Sequence, residues 1–137
     1  MTVSSEPGLP TIDDVSRPYW DAYREGRFLV AGCAVCGRVH HYPRPFCPFC
    51  WSDDVSPVPA SGRATLYSYS TVHVNDLAPF KDRLPYVAAM AELEEGPRVM
   101  TTLVDCEPAD LRIGMALTVR FQDLTDQIIV PVFGPAD

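Results

Sequence analysis

Apolar and polar residues alternate along the second half of the chain in a pattern that predicts short β-strands. The clearest case is 116–123, "ALTVRFQD", where Leu117, Val119 and Phe121 fall on one face and polar residues fall on the other. Further strands are predicted at 63–74, 86–94, 98–105 and 128–133, with a hairpin turn at 94–97 and a helical turn within 106–114. This order predicts a mainly β protein with a five-stranded barrel of the OB type, and a five-stranded sandwich is the alternative.

The beginning of the chain follows a different pattern. Residues 1–11 are polar and predict a loose arm, and residues 12–25 predict a helix. Ser16 is the expected N-cap, Pro18 is tolerated in the first turn, and Gly26 is the expected C-cap.

Three aromatic side chains give the predicted helix one aromatic face. They are Tyr19, Trp20 and Tyr23. This face either packs against the protein's own body, as large apolar residues usually do, or contacts a partner protein. The sequence leaves both interpretations open.

Residues 33–50 hold four of the five cysteines, as two Cys-x-x-Cys pairs separated by ten residues. The pairs are Cys33 with Cys36 and Cys47 with Cys50. Each pair turns two thiolates towards one metal ion, and a hairpin that brings the pairs together completes a tetrahedron. Four thiolates leave no open coordination position, so the predicted metal is structural. Zinc is expected, and iron in a rubredoxin-like site or a pair of disulfides are the alternatives.

The remaining histidines and the fifth cysteine have ordinary interpretations beside sharper ones. His40 and His41 lie between the cysteine pairs, and we expect them on a hairpin surface. Cys106 is expected to be a small, buried or half-buried thiol, although a lone cysteine beside a base is a candidate nucleophile. His73 is expected to end the first barrel strand, as a surface histidine or as a general base beside a binding mouth.

His73 is also predicted to share a face of that strand with Tyr67 and Tyr69. The loop at 75–85 that follows is long for a hairpin, and the corresponding loop of OB barrels often borders the binding face. Its residues Phe80, Lys81 and Arg83 suit contact with an anionic ligand that has an apolar part, or with a partner protein; they also suit an ordinary surface loop.

Composition narrows the function classes. The 137 residues carry a formal net charge of −7, and the 11 lysines and arginines form no run, which argues against nucleic-acid binding. No apolar stretch approaches the roughly 20 residues that span a bilayer, and the N-terminus lacks the pattern of a secretory signal. We therefore expect a cytoplasmic protein without a membrane segment, in which paired cysteines bind metal more often than they form disulfides.

An ordered set of motifs resembles one family over about residues 16–136. The motifs are "EGR" at 25–27, "CAVCG", "YPRPFCPFC", "SGRATLYSYSTVH", "LPYVAAMAELEEGPRVM", "LRIGMALTVRF" and "VPVFGPA". The family consists of a zinc ribbon followed by an OB-fold, was long catalogued as a domain of unknown function, and is linked to acyl-CoA metabolism. Trp51 and Ala64 stand where the family commonly has glycine, and "FGP" replaces its more usual Phe-Arg-Pro.

The resemblance implies an accessory role. Members bind thiolase-like enzymes, including lipid-transfer-type thiolases, and help to form the acyl-CoA site; some act with a MaoC-like hydratase in steroid side-chain degradation. There the thiolase-like partner cleaves a steroid-CoA by a retro-aldol reaction. We accordingly expect no catalytic residue in this chain, and an arm and helix at 1–26, a ribbon at 27–60 and a barrel at 61–137. A stand-alone module that binds acyl-CoA or a nucleotide is the alternative.

Overall fold

One helix, a three-stranded sheet and a closed barrel follow one another along the chain in a computed structural model that describes residues 11–74 and 84–136. The elements in order are α1 (Arg17–Arg24), β1 (Leu29–Cys33), β2 (Val39–His40), β3 (Val55–Pro59), β4 (Arg63–Val72), β5 (Tyr86–Leu93), β6 (Arg98–Leu103), a 3-10 turn (Pro108–Asp110), β7 (Ala116–Asp123) and β8 (Ile129–Pro135). The predicted fold class, mainly β with an N-terminal helix, a four-cysteine cluster and a five-stranded barrel, is confirmed.

The barrel has the strand order β4-β5-β6-β8-β7. Neighbouring strands are antiparallel except β6 and β8, whose parallel pairing at Leu103 and Phe133 closes the barrel. The side chains of β5 alternate between partly and fully buried positions, as expected for a strand with one face on the core. The predicted hairpin turn at 94–97 joins β5 to β6, and Gly96 supplies the positive φ of 118° there.

A β-bulge at Tyr67 changes which face of β4 each aromatic residue occupies. Tyr67 lies 3.8 Å from the guanidinium of exposed Arg98, outside the barrel. Tyr69 pairs with Ala89, a core residue, so its side chain starts on the inner face. The predicted common face for Tyr67 and Tyr69 is therefore wrong, because the extra residue of a bulge reverses the alternation beyond it.

The ribbon is a small sheet with the order β2-β1-β3. The third strand was not predicted, since Pro57 and Pro59 weaken its strand pattern. Both prolines are tolerated because β3 is an edge strand that pairs only with β1. Gly32 on β1 leaves room for Val58, whose Cγ1 would lie 3.1 Å from a β-carbon at position 32.

The helix begins directly after Ser16, the predicted N-cap, and not at residue 12, where the helical pattern begins. Ser16 occupies the N-cap position without capping through its side chain; instead its N–H donates to Asp13 Oδ1 at 2.8 Å. Glu25 is the C-cap, and Gly26 follows it in the left-handed region at φ 75°. Within the described residues, no helix is both long and apolar enough to cross a membrane.

One apolar core unites the helix, the ribbon and the barrel. Phe28, which leads into β1, stacks on Tyr23 of α1 at a centroid distance of 6.1 Å and meets Phe133 of β8 edge-on at 5.9 Å. Tyr23 also contacts Phe121 of β7 at 6.2 Å. The aromatic rings therefore fix the helix and the ribbon against strands β7 and β8 of the barrel.

Gly62 is the backbone position where the chain passes from the ribbon to the barrel, and we predict that Gly62→Ala destabilises the fold. Its φ is 80°, and an added β-carbon would lie 2.5 Å from Val119 Cγ1. Left-handed strain and overpacking together should lower the free energy of unfolding by about 2 to 4 kcal/mol in urea titrations of the metal-loaded protein.

Gly26→Ala is the matched control. Its φ of 75° is similar, yet nothing lies within 4 Å of the added β-carbon. It should lose only about 1 kcal/mol from left-handed strain. Equal losses for the two variants would show that the contact with Val119 carries no cost.

Candidate metal centre

Two equivalent turns present the four cysteines of the cluster. In the first, the N–H of Gly37 donates to the carbonyl of Cys33 at 3.0 Å; in the second, the N–H of Trp51 donates to the carbonyl of Cys47 at 2.9 Å. Both donors are left-handed, with φ of 73° at Gly37 and 67° at Trp51. The turn thus requires positive φ directly after the second cysteine of each pair, which is the position where the sequence has Gly once and Trp once.

The four sulfur atoms lie within 4.8 Å of one another. Cys33 Sγ is 3.6 Å from Cys50 Sγ, and Cys36 Sγ is 3.6 Å from Cys47 Sγ. A tetrahedral ion with metal–sulfur distances of about 2.3 Å separates its ligands by about 3.8 Å, so the donor set fits such an ion. The same distances exceed the roughly 2.05 Å of a disulfide, and all four cysteines are free.

Burial and hydrogen bonding distinguish the sulfur atoms. Cys33 and Cys47 are buried, whereas Cys36 and Cys50 are exposed. The N–H of Phe49 donates to Cys47 Sγ at 3.4 Å, and the backbone N–H of Cys36 lowers the pKa of the Cys33 thiol. Such donors favour thiolates over thiols. With four sulfur donors at one point, the geometry supports a structural metal with a closed coordination shell.

Trp51 is an exposed aromatic residue in a conformation that bulky residues rarely adopt. Its side chain is 74% exposed and stacks on Phe46 at a centroid distance of 5.3 Å. A left-handed bulky residue costs backbone energy that the exposed stacking offsets only in part. Nothing else in the described structure explains why Trp stands here.

The prediction that both histidines between the cysteine pairs lie on the hairpin surface holds for at most one of them. His40 is only 5% exposed, because β2 turns its ring inward, and that prediction is wrong for His40. His41 is half-buried; its ring stacks on Phe28 at 6.1 Å and meets Tyr42 at 4.3 Å. Neither histidine belongs to the sulfur cluster.

Tyr42 connects the ribbon to the barrel in a way that the sequence did not indicate. Its hydroxyl accepts a hydrogen bond of 3.2 Å from the N–H of Met100 on β6. Tyr42 has a positive φ of 65°. Among the described residues other than glycine, Trp51 and Asp105 also have positive φ values. No sequence signal marks a tyrosine for this conformation, so only the structure reveals the contact.

The predicted aromatic face of α1 is largely occupied by the protein's own core. Tyr19 and Tyr23 are 4% and 5% exposed, and Trp20 is half-buried with its ring edge-on to Tyr23 at 5.4 Å. Burial raises the pKa of both tyrosines. A partner contact through this helix stays a prediction, and Trp20 is the residue of the three with surface to offer.

Among the other predicted residues, the structure describes His73 and Cys106, and neither belongs to the sulfur cluster. His73 is exposed directly after β4, and Phe80, Lys81 and Arg83 lie outside the described residues. Cys106 is half-buried, and burial, followed by the charge of Asp105, raises the pKa of its thiol. A raised pKa disfavours the thiolate, which argues against a nucleophilic role.

We predict that Cys33→Ser abolishes metal binding and unfolds the ribbon. Losing one thiolate opens the coordination shell, and metal binding and folding are coupled in sites of this kind. Metal content by atomic emission and backbone amide signals of β1 to β3 would report the loss. Cys106→Ser is the control, since it removes the thiol outside the cluster and should keep the metal. A Cys33→Ser protein that loses metal but keeps a folded ribbon would contradict the structural assignment.

We predict that His41 makes the fold acid-sensitive. Burial, and then the neighbouring His40, lower the pKa of His41 to about 4 from its ordinary 6.5. Between these two values the unfolded chain binds a proton that the folded chain excludes, so stability is complete above pH 6.5 and falls as the pH drops towards 4.

The expected loss is roughly 3 kcal/mol, because the pKa falls from 6.5 to about 4 and each pKa unit corresponds to about 1.4 kcal/mol. Chemical unfolding at several pH values, with metal content checked at each, would measure it. His41→Phe keeps a ring against Phe28 without a titrating group and should flatten the dependence. An unchanged slope in His41→Phe would assign the acid sensitivity elsewhere.

Comparisons with known proteins identify two adjoining domains. The family described as "ChsH2, rubredoxin-like zinc ribbon domain" matches residues 20–56, and the family described as "ChsH2, C-terminal OB-fold domain" matches residues 57–122. Among solved structures, the chain resembles one titled "Ltp2-ChsH2(DUF35) aldolase", with 34% identity and a TM-score of 0.83; the match covers 94% of this chain and 100% of that chain.

Curated relatives agree with these matches. A "DUF35 domain-containing scaffold protein" of Methanocaldococcus jannaschii is 38% identical over 78% of this chain and 77% of its own length. A "Probable enoyl-CoA hydratase alpha subunit" of Thermomonospora curvata is 35% identical over 93% of this chain, which spans only 39% of that protein. By sequence and by structure, the chain belongs to the ChsH2/DUF35 family of zinc-ribbon and OB-fold proteins.

Proposed function

We propose that this chain is an accessory scaffold subunit of a thiolase-fold enzyme and that it helps to form the enzyme's acyl-CoA site. The observation that carries the proposal is the match over 94% of the chain to a component of a structure titled as an Ltp2-ChsH2(DUF35) aldolase. In this role the partner provides the catalytic acid and base, and this chain provides surface and order.

The names of other relatives support a thiolase-type partner and a CoA thioester as substrate. A "Benzoylsuccinyl-CoA thiolase subunit BbsA" of Geobacter metallireducens is 29% identical over 76% of this chain. A "3-oxo-4,17-pregnadiene-20-carboxyl-CoA hydratase alpha subunit" of Mycobacterium tuberculosis is 32% identical, and this chain spans 34% of it. We take retro-aldol cleavage of a steroid side-chain CoA thioester as the narrower form of the proposal, with a MaoC-like hydratase as a second partner.

The chemistry of the described residues is compatible with an accessory role. The sulfur cluster suits a structural ion, which we propose to be zinc, with no ligand position left for substrate. The thiol of Cys106 is kept protonated by burial. We place the complex in the cytoplasm, where thiols stay reduced.

We predict a stable complex with a thiolase-fold protein encoded beside this chain. Co-expression followed by size-exclusion chromatography should recover both chains together, and thioester cleavage or thiolysis by the partner should depend on this chain. Cys33→Ser should lose both the complex and the activity, whereas Cys106→Ser should keep both. Equal partner activity with and without this chain would overturn the proposal. Tight binding of acyl-CoA by the chain alone, with no complex, would favour the stand-alone module.

A further inference from the structure

The metal-binding end of the ribbon exposes three large apolar side chains. Val35 and Phe49 occupy the same position in the two Cys-x-x-Cys turns, and Trp51 directly follows the second turn; all three are exposed. The four sulfur atoms lie within 4.8 Å of one another, which brings both turns to one end of the ribbon. We call these three side chains, with Arg38 and Asp54 at their edges, the ribbon tip.

The conformation of Trp51 costs the isolated chain free energy that its own contacts recover only in part. Its φ is 67°, and Gly37 adopts a similar φ of 73° at the equivalent position without that cost. Stacking on Phe46 leaves most of the Trp51 ring exposed. Strained residues are concentrated at functional sites, and tryptophan is enriched among the residues that dominate binding at protein interfaces. The geometry therefore favours burial of this ring against another molecule.

The ribbon tip has a basic edge and an acidic edge on opposite sides of β1. Arg38 directly precedes β2 and Asp54 directly precedes β3, and the sheet order is β2-β1-β3. The N–H of Cys33 donates to the carbonyl of Arg38, and the N–H of Ala34 donates to the carbonyl of Asp54, both at 3.0 Å. Neighbouring strands lie about 4.8 Å apart, so the two edges are separated by about 10 Å.

The charges at both edges are available to another molecule. Arg38, Asp54 and the adjacent Asp53 are exposed, and none of them takes part in the ion pairs found within residues 11–74 and 84–136. The guanidinium of Arg38 lies 5.0 Å from the centroid of the Phe49 ring, so the positive charge borders the apolar centre. Exposed ion pairs contribute little to affinity, but their arrangement decides which partner fits and in which orientation.

An apolar centre between a basic and an acidic edge is complementary to itself. A two-fold axis through the centre places the basic edge of each copy opposite the acidic edge of the other, which is how an isologous interface forms. A partner with charge of one sign would be repelled at one of the two edges. Nucleic acid in particular would bring its phosphates against Asp53 and Asp54. The charges thus select a second copy of this chain as the occupant.

We propose that two copies of this chain associate through their ribbon tips, with the Trp51 rings buried at the centre and Arg38 of each copy opposite Asp53 and Asp54 of the other. The dimer goes beyond the accessory role, since it forms from this chain alone. Three apolar side chains per copy make a contact at the low end of interface sizes, below about 1,200 Å² in total. The dimer should therefore dissociate on dilution.

Sedimentation velocity of the metal-loaded full chain, from low micromolar to millimolar concentration, tests the proposal. The sedimentation coefficient should rise from that of a monomer to that of a dimer and then stay constant, because a two-fold contact closes at two copies. A chain that stays monomeric at millimolar concentration would overturn the proposal, and so would growth into larger assemblies.

Trp51→Gly separates an interface role from a structural role. It should weaken the association at least about thirtyfold, as expected for an aromatic residue that dominates an interface. At low micromolar concentration, where the chain is monomeric, the variant should keep its metal and the urea midpoint of the original chain, because glycine adopts positive φ freely. Ile113→Gly is the control, since it removes an exposed apolar side chain outside the ribbon tip and should leave the dimer intact. Undiminished association of Trp51→Gly would contradict the proposal.

Exchange of charges tests the two-fold arrangement. Arg38→Glu alone, and Asp53→Lys together with Asp54→Lys, each place like charges opposite one another, so each variant should be monomeric by itself. An equal mixture of the two variants restores opposite charges at both edges and should recover the dimer. Arg112→Glu is the matched control, because it makes the same change at an exposed residue outside the ribbon tip and should dimerise normally. A mixture that stays monomeric would exclude the proposed pairing.

The outcome is separable from that of the proposed function. A chain that dimerises but never binds a thiolase-fold protein removes the scaffold role and leaves the dimer. If the chain is monomeric at every concentration and Trp51→Gly instead weakens binding of the thiolase-fold partner, the ribbon tip belongs to that partner and the dimer is overturned. Binding of a single-stranded oligonucleotide that Trp51→Gly abolishes, without self-association, would overturn the dimer in favour of nucleic acid.

Discussion

The arrangement of the helix, the ribbon and the barrel depends on the contacts of the Phe28 ring. It touches Tyr23 of the helix, Phe133 of the barrel and His41 of the ribbon, with centroid distances between 5.9 and 6.1 Å. Its carbonyl also accepts a 2.9 Å hydrogen bond from the N–H of Ala60, at the far end of β3. Aromatic pairs contribute about 0.5 to 1.5 kcal/mol each beyond the burial of area, so three pairs on one ring couple the three parts substantially.

The sulfur cluster stabilises the ribbon sheet at its other end. The ribbon sheet has strands of five, two and five residues, which is too little to be stable as an isolated hairpin structure. Metal binding at one end and the Phe28 contacts at the other therefore hold the sheet between two fixed points. The positions of residues along the sheet, including His40 and Arg38, therefore depend on both the metal cluster and the Phe28 contacts.

The parts of the structure that the sequence predicted are those governed by local pattern. The spacing of the cysteines brings their thiolates together, and the alternation in β7 gives a strand with one apolar face. The cluster and the barrel were therefore both predictable. The bulge at Tyr67 was not, because one inserted residue changes the face of everything after it without changing composition. The burial of His40 was not predictable either, since a strand of two residues shows no period.

The distribution of acidic residues and of exposed apolar side chains along the chain bears on its association with other proteins. The chain has a net charge of −7, yet no aspartate or glutamate occurs between Glu25 and Asp53. The same stretch carries four exposed large apolar side chains: Val35, Tyr42, Phe49 and Trp51. Burying these four side chains against another protein removes apolar area from water, and the stretch itself contains no carboxylate, whose desolvation is the costly step in burying charged surface. The acidic remainder stays hydrated and opposes non-specific association. In the proposed scaffold role this division is useful, because the apolar side chains available to a partner then stand apart in the sequence from the charges that keep the free chain dispersed.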